Sequence, residues 1–95
     1  MLKKLMYASL ATAALGVLMP PTAQAADRGF CHAYAEAAVN QVRGALANPH
    51  CARRIEGTRW APEARVHFDW CLTQPIPAVE AERAARTEFL RGCRG

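Results

Sequence analysis

Apolar residues recur at three- and four-residue steps along three stretches of the chain, which is the pattern of amphipathic α-helices. The first stretch runs from Asp27, the expected N-cap, to about Ala47. Asn48-Pro49 ends it, because the residue before a proline disfavours the helical conformation. Its apolar stripe consists of Cys31, Tyr34, Ala35, Ala38, Val42, Ala45 and Leu46. We therefore expect a first helix that buries Cys31 near its start.

A second helix is expected to begin at Pro62, because the amide that proline lacks has no partner in the first turn of a helix. Apolar residues lie on nearly every side of the stretch from Pro62 to Cys71, which predicts a helix at the buried centre of a small domain. Trp60 precedes this helix and is expected to pack back over Arg65 or Val66.

A third helix is predicted over Ala78–Arg91, after a connector over Thr73–Pro77 whose prolines cannot continue a helix. Its expected inner stripe, with Val79 and Leu90 beside it, consists of Ala78, Ala81, Glu82, Ala85, Phe89 and Cys93. A single short turn over Cys51–Glu56, closed by Gly57, is expected between the first two helices. The sequence thus predicts an all-α fold, a small bundle of three helices plus a short turn.

The N-terminal residues show a different pattern. Two lysines precede an apolar run from Leu5 to Met19, and Ala23-Gln24-Ala25 follows as an A-x-A cleavage motif. This predicts a signal peptide over residues 1–25 and a single mature domain over residues 26–95. The apolar run is shorter than the ~20 residues of a membrane-spanning helix, so we expect no transmembrane segment after cleavage. The predicted location is the periplasm or the external medium.

The cysteines of the mature domain are spaced at intervals of 20, 20 and 22 residues. Four cysteines in a small exported chain predict two disulfides, and the intervals are too wide for zinc knuckles. An intact first helix carries the chain about 24 Å beyond Cys31, whereas the residues before Cys51 return only about 14 Å. This excludes Cys31–Cys51 and, with it, Cys71–Cys93. We favour Cys31–Cys71 with Cys51–Cys93, and the alternative of Cys31–Cys93 with Cys51–Cys71 stays open.

The composition of the mature domain narrows its chemistry. It contains ten arginines and eight acidic residues, but neither lysine nor serine. A serine nucleophile and a lysine Schiff base are therefore excluded, and disulfide-bonded cysteines are not nucleophiles. We expect a non-enzymatic protein without a cofactor. The mild arginine excess is also no evidence for specific nucleic-acid binding.

Candidate binding residues lie around the short turn and the start of the second helix. They are Trp60, Arg59, Arg53 and Arg54. An aromatic ring beside arginines is typical of binding hot spots, and the positive charges favour an anionic envelope polymer or another protein as the partner. Aromatic rings also fill cores, so Trp70 is expected in the core, while both places stay open for Trp60.

His32 and His67 support an alternative function. The favoured Cys31–Cys71 disulfide would bring the two imidazoles together, because each histidine is adjacent to, or one helical turn from, one of its cysteines. A Zn²⁺ or Cu²⁺ site completed by Glu63 or Asp69 would make this a periplasmic metal-binding protein. Without a metal, each histidine would be partly buried and hydrogen-bonded to the backbone or to a carboxylate.

The order of these residues resembles a group of small exported proteobacterial proteins of unknown function, with the pattern C-x-x-Y…C…G-x-R-W…H-x-x-W-C…E…R…L-x-x-C. The matching residues are Cys31, Tyr34, Cys51, Gly57, Arg59, Trp60, His67, Trp70, Cys71, Glu82, Arg86, Leu90 and Cys93. The resemblance covers essentially the whole mature chain. It implies an exported α-helical domain with disulfides, and it assigns no activity and no functional residue.

Overall fold

The structure, a computed structural model, describes residues 24–94. All but the last two residues of the predicted signal peptide therefore lie outside the described part. The chain forms helices α1 (Arg28–Leu46), α2 (Pro49–Ala52), a 3₁₀ helix (Thr58–Trp60), α3 (Ala64–Cys71) and α4 (Ile76–Arg94). Residues 24–94 contain no β-strand, so the predicted all-α fold is confirmed. Among the helices of this range, none combines the length and the hydropathy that crossing a bilayer requires.

Helix α1 matches the predicted first helix. Its N-cap is Asp27, whose carboxylate accepts a hydrogen bond from the Phe30 amide at 2.8 Å. Its buried face consists of Cys31, Tyr34, Ala35, Ala38, Val39, Val42 and Ala45. Leu46 is 54% exposed although the predicted stripe included it, because the buried face ends with Ala45. Helix α1 contacts every other helical element and forms the centre of the domain.

The predicted short turn exists, but it lies earlier than Cys51–Glu56. Helix α2 begins after Asn48, whose side-chain oxygen accepts hydrogen bonds from the amides of His50 at 2.9 Å and Cys51 at 3.4 Å. The prediction overlooked this asparagine as an N-cap. Gly57 does not close α2. Its φ of +85° is one that favours glycine, and it leads directly into the 3₁₀ helix.

Helix α3 begins at Ala64 rather than at Pro62. Ala61 has the extended backbone expected before a proline, and Glu63 is also extended as the N-cap residue. The helix starts two residues late because the backbone is still extended at Glu63. The Ala61 carbonyl accepts a hydrogen bond from the ring of His67.

Helix α3 is not the buried centre that its apolar sequence predicted. His67 and Cys71 are its buried residues, and Trp70, which was expected in the core, is 36% exposed. The helix has only eight residues and packs on α1. An apolar residue on its other sides is therefore not covered by a second layer of structure.

Helix α4 begins at Ile76, two residues before the predicted Ala78. The Pro75 carbonyl accepts hydrogen bonds from the amides of Ala78 at 3.0 Å and Val79 at 3.3 Å. Pro77 falls in the first helical turn, where its missing amide costs no hydrogen bond. The connector that was expected to exclude a helix thus contains the start of one.

The predicted inner stripe of this helix was right for Cys93, but the rest of it is displaced. Its buried residues are Val79, Arg86, Leu90 and Cys93. Three of them follow, by one position, the predicted inner residues Ala78, Ala85 and Phe89. The face is turned because Arg86, which a hydropathy pattern assigns to solvent, is fully buried.

The disulfides divide the domain into two halves. Cys31–Cys71 joins the start of α1 to the end of α3, and Cys51–Cys93 joins α2 to the end of α4, with Cα–Cα distances of 5.6 and 5.1 Å. The favoured pairing is confirmed. One apolar cluster forms around each disulfide. We call residues 26–41 and 61–80 the Cys31–Cys71 half, and residues 42–60 and 81–94 the Cys51–Cys93 half.

Candidate functional site

Two groups of polar side chains border concave surfaces. The polar cleft, with a cavity volume of about 70 Å³, opens where α1, the 3₁₀ helix, α3 and α4 meet. It is lined by Tyr34, Thr58, Arg59, Val66, His67, Trp70, Glu82 and Arg86. The basic patch borders a wider depression of about 280 Å³ beside Cys93. It consists of His50, Arg53, Arg54 and Arg94.

Arg86 is the fully buried member of the polar cleft. Its Nε donates to Oε1 of Gln41 at 2.7 Å, its Nη2 to the Tyr34 hydroxyl at 2.6 Å, and its Nη1 to the Arg59 carbonyl at 3.3 Å. Nη1 also lies 3.8 Å from Oε2 of Glu82. A buried charge without partners is costly, so this network holds α1, the 3₁₀ helix and α4 in one arrangement.

Arg59 and Glu82 form a two-point ion pair at the cleft. The Arg59 Nε donates to Oε2 of Glu82 at 2.6 Å and its Nη2 to Oε1 at 3.1 Å. The hydrogen bonds that Arg59 donates to the Glu82 carboxylate raise the pKa of the Arg59 guanidinium above its usual value, so the group stays charged at any accessible pH. Glu82 therefore serves two guanidinium groups, because it is also the ion-pair partner of Arg86.

His67, Tyr34 and Trp70 complete the cleft. The Nε2 of His67 lies 2.7 Å from the Ala61 carbonyl. A carbonyl only accepts, so Nε2 carries the proton, and Nδ1 has a lone pair in the neutral ring. The Tyr34 ring is close to the rings of both His67 and Trp70, at centroid distances of 6.4 and 6.0 Å. The cleft thus combines hydrogen-bonding groups with one half-open aromatic face.

The basic patch has positive groups that face no carboxylate. Nη2 of Arg53 lies 3.0 Å from Nδ1 of His50, the guanidinium of Arg54 lies 5.6 Å from the ring centroid of Phe89, and Nε of Arg94 bonds the Leu90 carbonyl. Within residues 24–94, the ion pairs involve other arginines. The charges of this patch are therefore open to an external anion.

The predicted binding residues do not act as one surface. Trp60 is only 7% exposed, and its ring packs against Phe89, 4.9 Å away, where the sequence predicted Arg65 or Val66 as its neighbour. Its ring is not available for stacking on a partner. Arg59 is engaged by Glu82 and belongs to the cleft. Arg53 and Arg54 are exposed and belong to the basic patch.

The predicted metal ligands lie in different surroundings. His32 is exposed and its ring lies 5.6 Å from that of Phe68, whereas His67 is buried and bonds Ala61. Within the part of the chain that the structure describes, no three His, Cys, Asp or Glu side chains form a group that could hold a metal ion. The structure thus gives the metal-binding alternative no supporting observation.

Sequence reasoning did not select Glu82 and Arg86 as site residues. The partners of Arg86 on α1 and the 3₁₀ helix lie 27 to 52 residues away in the chain, so local spacing does not reveal them. One signal was present. Tyr34, Arg59, His67, Trp70, Glu82 and Arg86 all occur in the pattern quoted above, and they meet in this one cleft.

Known proteins give no further guide to either site. No family model matches the chain, and neither a curated protein nor a solved structure shows significant similarity to it. The resemblance to exported proteobacterial proteins therefore stays a prediction.

Proposed function

We propose that this protein is an exported, non-enzymatic binding module that contacts an anionic polymer of the cell envelope through its basic patch. The observation that carries the proposal is a depression bordered by His50, Arg53, Arg54 and Arg94 with no acidic residue in its lining. Polyanions bind such surfaces through many small charge contacts, without a deep pocket.

The available donors of the patch support this function. Arg53 and Arg54 are exposed, and within residues 24–94 neither belongs to an ion pair. Their guanidinium groups are partly ordered by the His50 ring and the Phe89 ring. An anion therefore gains charge-assisted hydrogen bonds without first breaking a salt bridge.

The distribution of charge over the whole domain also favours binding through the basic patch. The Cys51–Cys93 half carries eight arginines and three glutamates, whereas the Cys31–Cys71 half carries five acidic residues and two arginines. A polyanion is attracted to the Cys51–Cys93 half and repelled by the Cys31–Cys71 half, which directs the patch towards the polymer.

Export is supported by the disulfides. All four cysteines are paired, and two disulfides fit a non-cytoplasmic protein, since the cytosol keeps thiols reduced. The predicted signal peptide would supply the route. Together these features favour the periplasm or the medium, where charged envelope polymers are the abundant anions.

The test is binding of the exported protein to dextran sulfate, with neutral dextran as the uncharged polymer. The double variant Arg53→Gln/Arg54→Gln should bind dextran sulfate about 2 kcal/mol more weakly, close to thirtyfold, because each arginine near an anionic surface contributes about 1 kcal/mol. Calorimetry at ~50 and ~200 mM salt should show the log–log salt slope reduced by about two units.

The matched control removes the same charge from the other half. Arg28 stacks on Phe68 at 5.3 Å, much as Arg54 stacks on Phe89, and Arg65 is exposed. The variant Arg28→Gln/Arg65→Gln should bind dextran sulfate nearly as the parent does. Equal weakening by the two double variants would show that only net charge matters. Equal binding of neutral dextran would contradict an electrostatic site.

A further inference from the structure

The polar cleft holds more positive than negative charge. With His67 uncharged, its lining carries the guanidinium groups of Arg59 and Arg86 and the single carboxylate of Glu82. Both carboxylate oxygens already accept hydrogen bonds from Arg59. The charge of Arg86 is therefore only partly compensated, although its side chain is fully buried.

The hydrogen bonds of Arg86 do not remove this imbalance. A guanidinium group has five N–H donors, and three of those of Arg86 bond an amide, a hydroxyl and a carbonyl. These acceptors are neutral. The Glu82 oxygen at 3.8 Å lies beyond hydrogen-bond distance. Since a buried charge is stabilised by a close counter-charge, an anion beside Arg86 is favoured.

Further donors line the cleft. The Tyr34 oxygen accepts from Arg86, and its own proton is left to donate. Arg59 uses Nε and Nη2 on Glu82, and its Nη1 has no hydrogen-bond acceptor among residues 24–94. The lining thus offers donors from two side chains on α1 and the 3₁₀ helix to one small acceptor group.

The remaining wall is apolar and aromatic. Trp70 is 36% exposed, and its ring lies next to the Tyr34 ring. Val66, which is half-buried, lines the same wall. The cavity itself has a volume of about 70 Å³, so it admits a small group such as a carboxylate and not a polymer chain. A flat body attached to that group would lie at the open mouth, over Trp70.

From this geometry we infer that the polar cleft binds a small monocarboxylate with a flat apolar body. The carboxylate supplies the missing negative charge beside Arg59 and Arg86, and it accepts from the Tyr34 hydroxyl. The flat body covers Trp70. This site is separate from the basic patch, and it takes a different ligand by a different mechanism.

The experiment titrates sodium benzoate into the ¹⁵N-labelled exported protein and follows the indole N–H signals of the two tryptophans. The Trp70 signal should shift with a Kd on the order of 1 mM, as expected for so small a ligand. The Trp60 signal should not shift, because that ring is buried against Phe89 and does not line the cleft. Benzamide, which lacks the charge, and acetate, which lacks the ring, should each bind at least about tenfold more weakly.

Three single variants place the site. Arg59→Gln removes the excess charge from a half-exposed side chain and should weaken benzoate binding at least about tenfold. Glu82→Gln increases the excess charge and should tighten it. Arg65→Gln, on the exposed side of α3, should leave it unchanged. Near-ultraviolet spectra check that each variant keeps the fold.

The proposal is overturned if benzoate and benzamide bind equally, if acetate binds as well as benzoate, or if the Trp70 signal does not move. It is also overturned if Arg59→Gln binds benzoate as the parent does while its near-ultraviolet spectrum is native. None of these outcomes bears on dextran sulfate binding, so the two proposals fail separately.

Discussion

The Cys31–Cys71 half and the Cys51–Cys93 half are alike in covalent design and opposite in charge. Each is closed by one disulfide, over sequence separations of 40 and 42 residues, and each surrounds its disulfide with an apolar cluster. Acidic residues outnumber arginines in the first half, and arginines outnumber acidic residues in the second. The features that hold the fold are therefore repeated, whereas the features that could recognise a polyanion are not.

The halves also differ in how they use a tryptophan. Trp60 is packed among Val42, Leu90 and Cys93 in the cluster of the Cys51–Cys93 half. Trp70 lies on α3 in the other half and is partly open to solvent. An aromatic residue in a small domain can thus serve as core or as surface, and its position relative to α1 decides which.

The largest expected effect tests the likeness of the halves. Replacing either Cys31 and Cys71, or Cys51 and Cys93, by alanine should cost about 4 kcal/mol, because the two closed loops have nearly the same length. A loss of this size is enough to leave most molecules of so small a domain unfolded at room temperature. Urea unfolding at low temperature, followed by circular dichroism, measures the free energy of unfolding of both variants.

The two disulfide variants should agree within about 1 kcal/mol, since loop entropy changes only slowly with loop length. A larger difference would show that the cluster around one disulfide, and not loop closure, determines its contribution. The two disulfides would then not stabilise their halves in the same way.

A second prediction tests the contrast between the tryptophans. Trp60→Ala should cost about 3 kcal/mol, the lower end of the range for a buried tryptophan, because it leaves a cavity between α1 and α4. Trp70→Ala should cost about 1 kcal/mol, since part of its ring is already exposed. Urea unfolding of both variants gives the comparison directly. Equal costs would mean that Trp70 is as much a core residue as Trp60.

Local rules and chain reach were enough to predict much of this fold. The Asp27 cap and the spacing of apolar residues predict α1, and the length of α1 then excludes the pairing of Cys31 with Cys51. That elimination works because a helix is rigid and a short connector has a fixed maximum length. This elimination left two pairings, and the structure shows which of them forms.

The polar cleft shows why the rest was not predictable. Arg86 is buried only because Gln41, Tyr34 and the Arg59 carbonyl converge on it from distant parts of the chain. Hydropathy assigns an arginine to solvent, so the buried face of α4 was predicted one position away. Trp70 was misplaced for a related reason, because a pattern shows which residues are apolar but not how many helices cover them.

The smallest expected effect compares the helix caps of the two halves. Asp27→Ala should cost about 1 kcal/mol, because it removes the acceptor of the Phe30 amide at the start of a 19-residue helix. Asn48→Ala should cost about 0.5 kcal/mol, since α2 has four residues and Cys51 is already held by its disulfide. Thermal unfolding of the two variants measures both. Asp27→Asn keeps an acceptor and should lose less than Asp27→Ala.

The order of these two costs decides how the basic patch is positioned. If Asn48→Ala costs the smaller amount, the disulfide to Cys93 holds α2 in place, and with it His50 and Arg53. Dextran sulfate binding should then survive the loss of the cap. If Asn48→Ala costs more than Asp27→Ala, the cap itself orders α2, and the same variant should weaken polyanion binding although it removes no charge. The contrast between the halves would then extend from their charge to the way each one is held together.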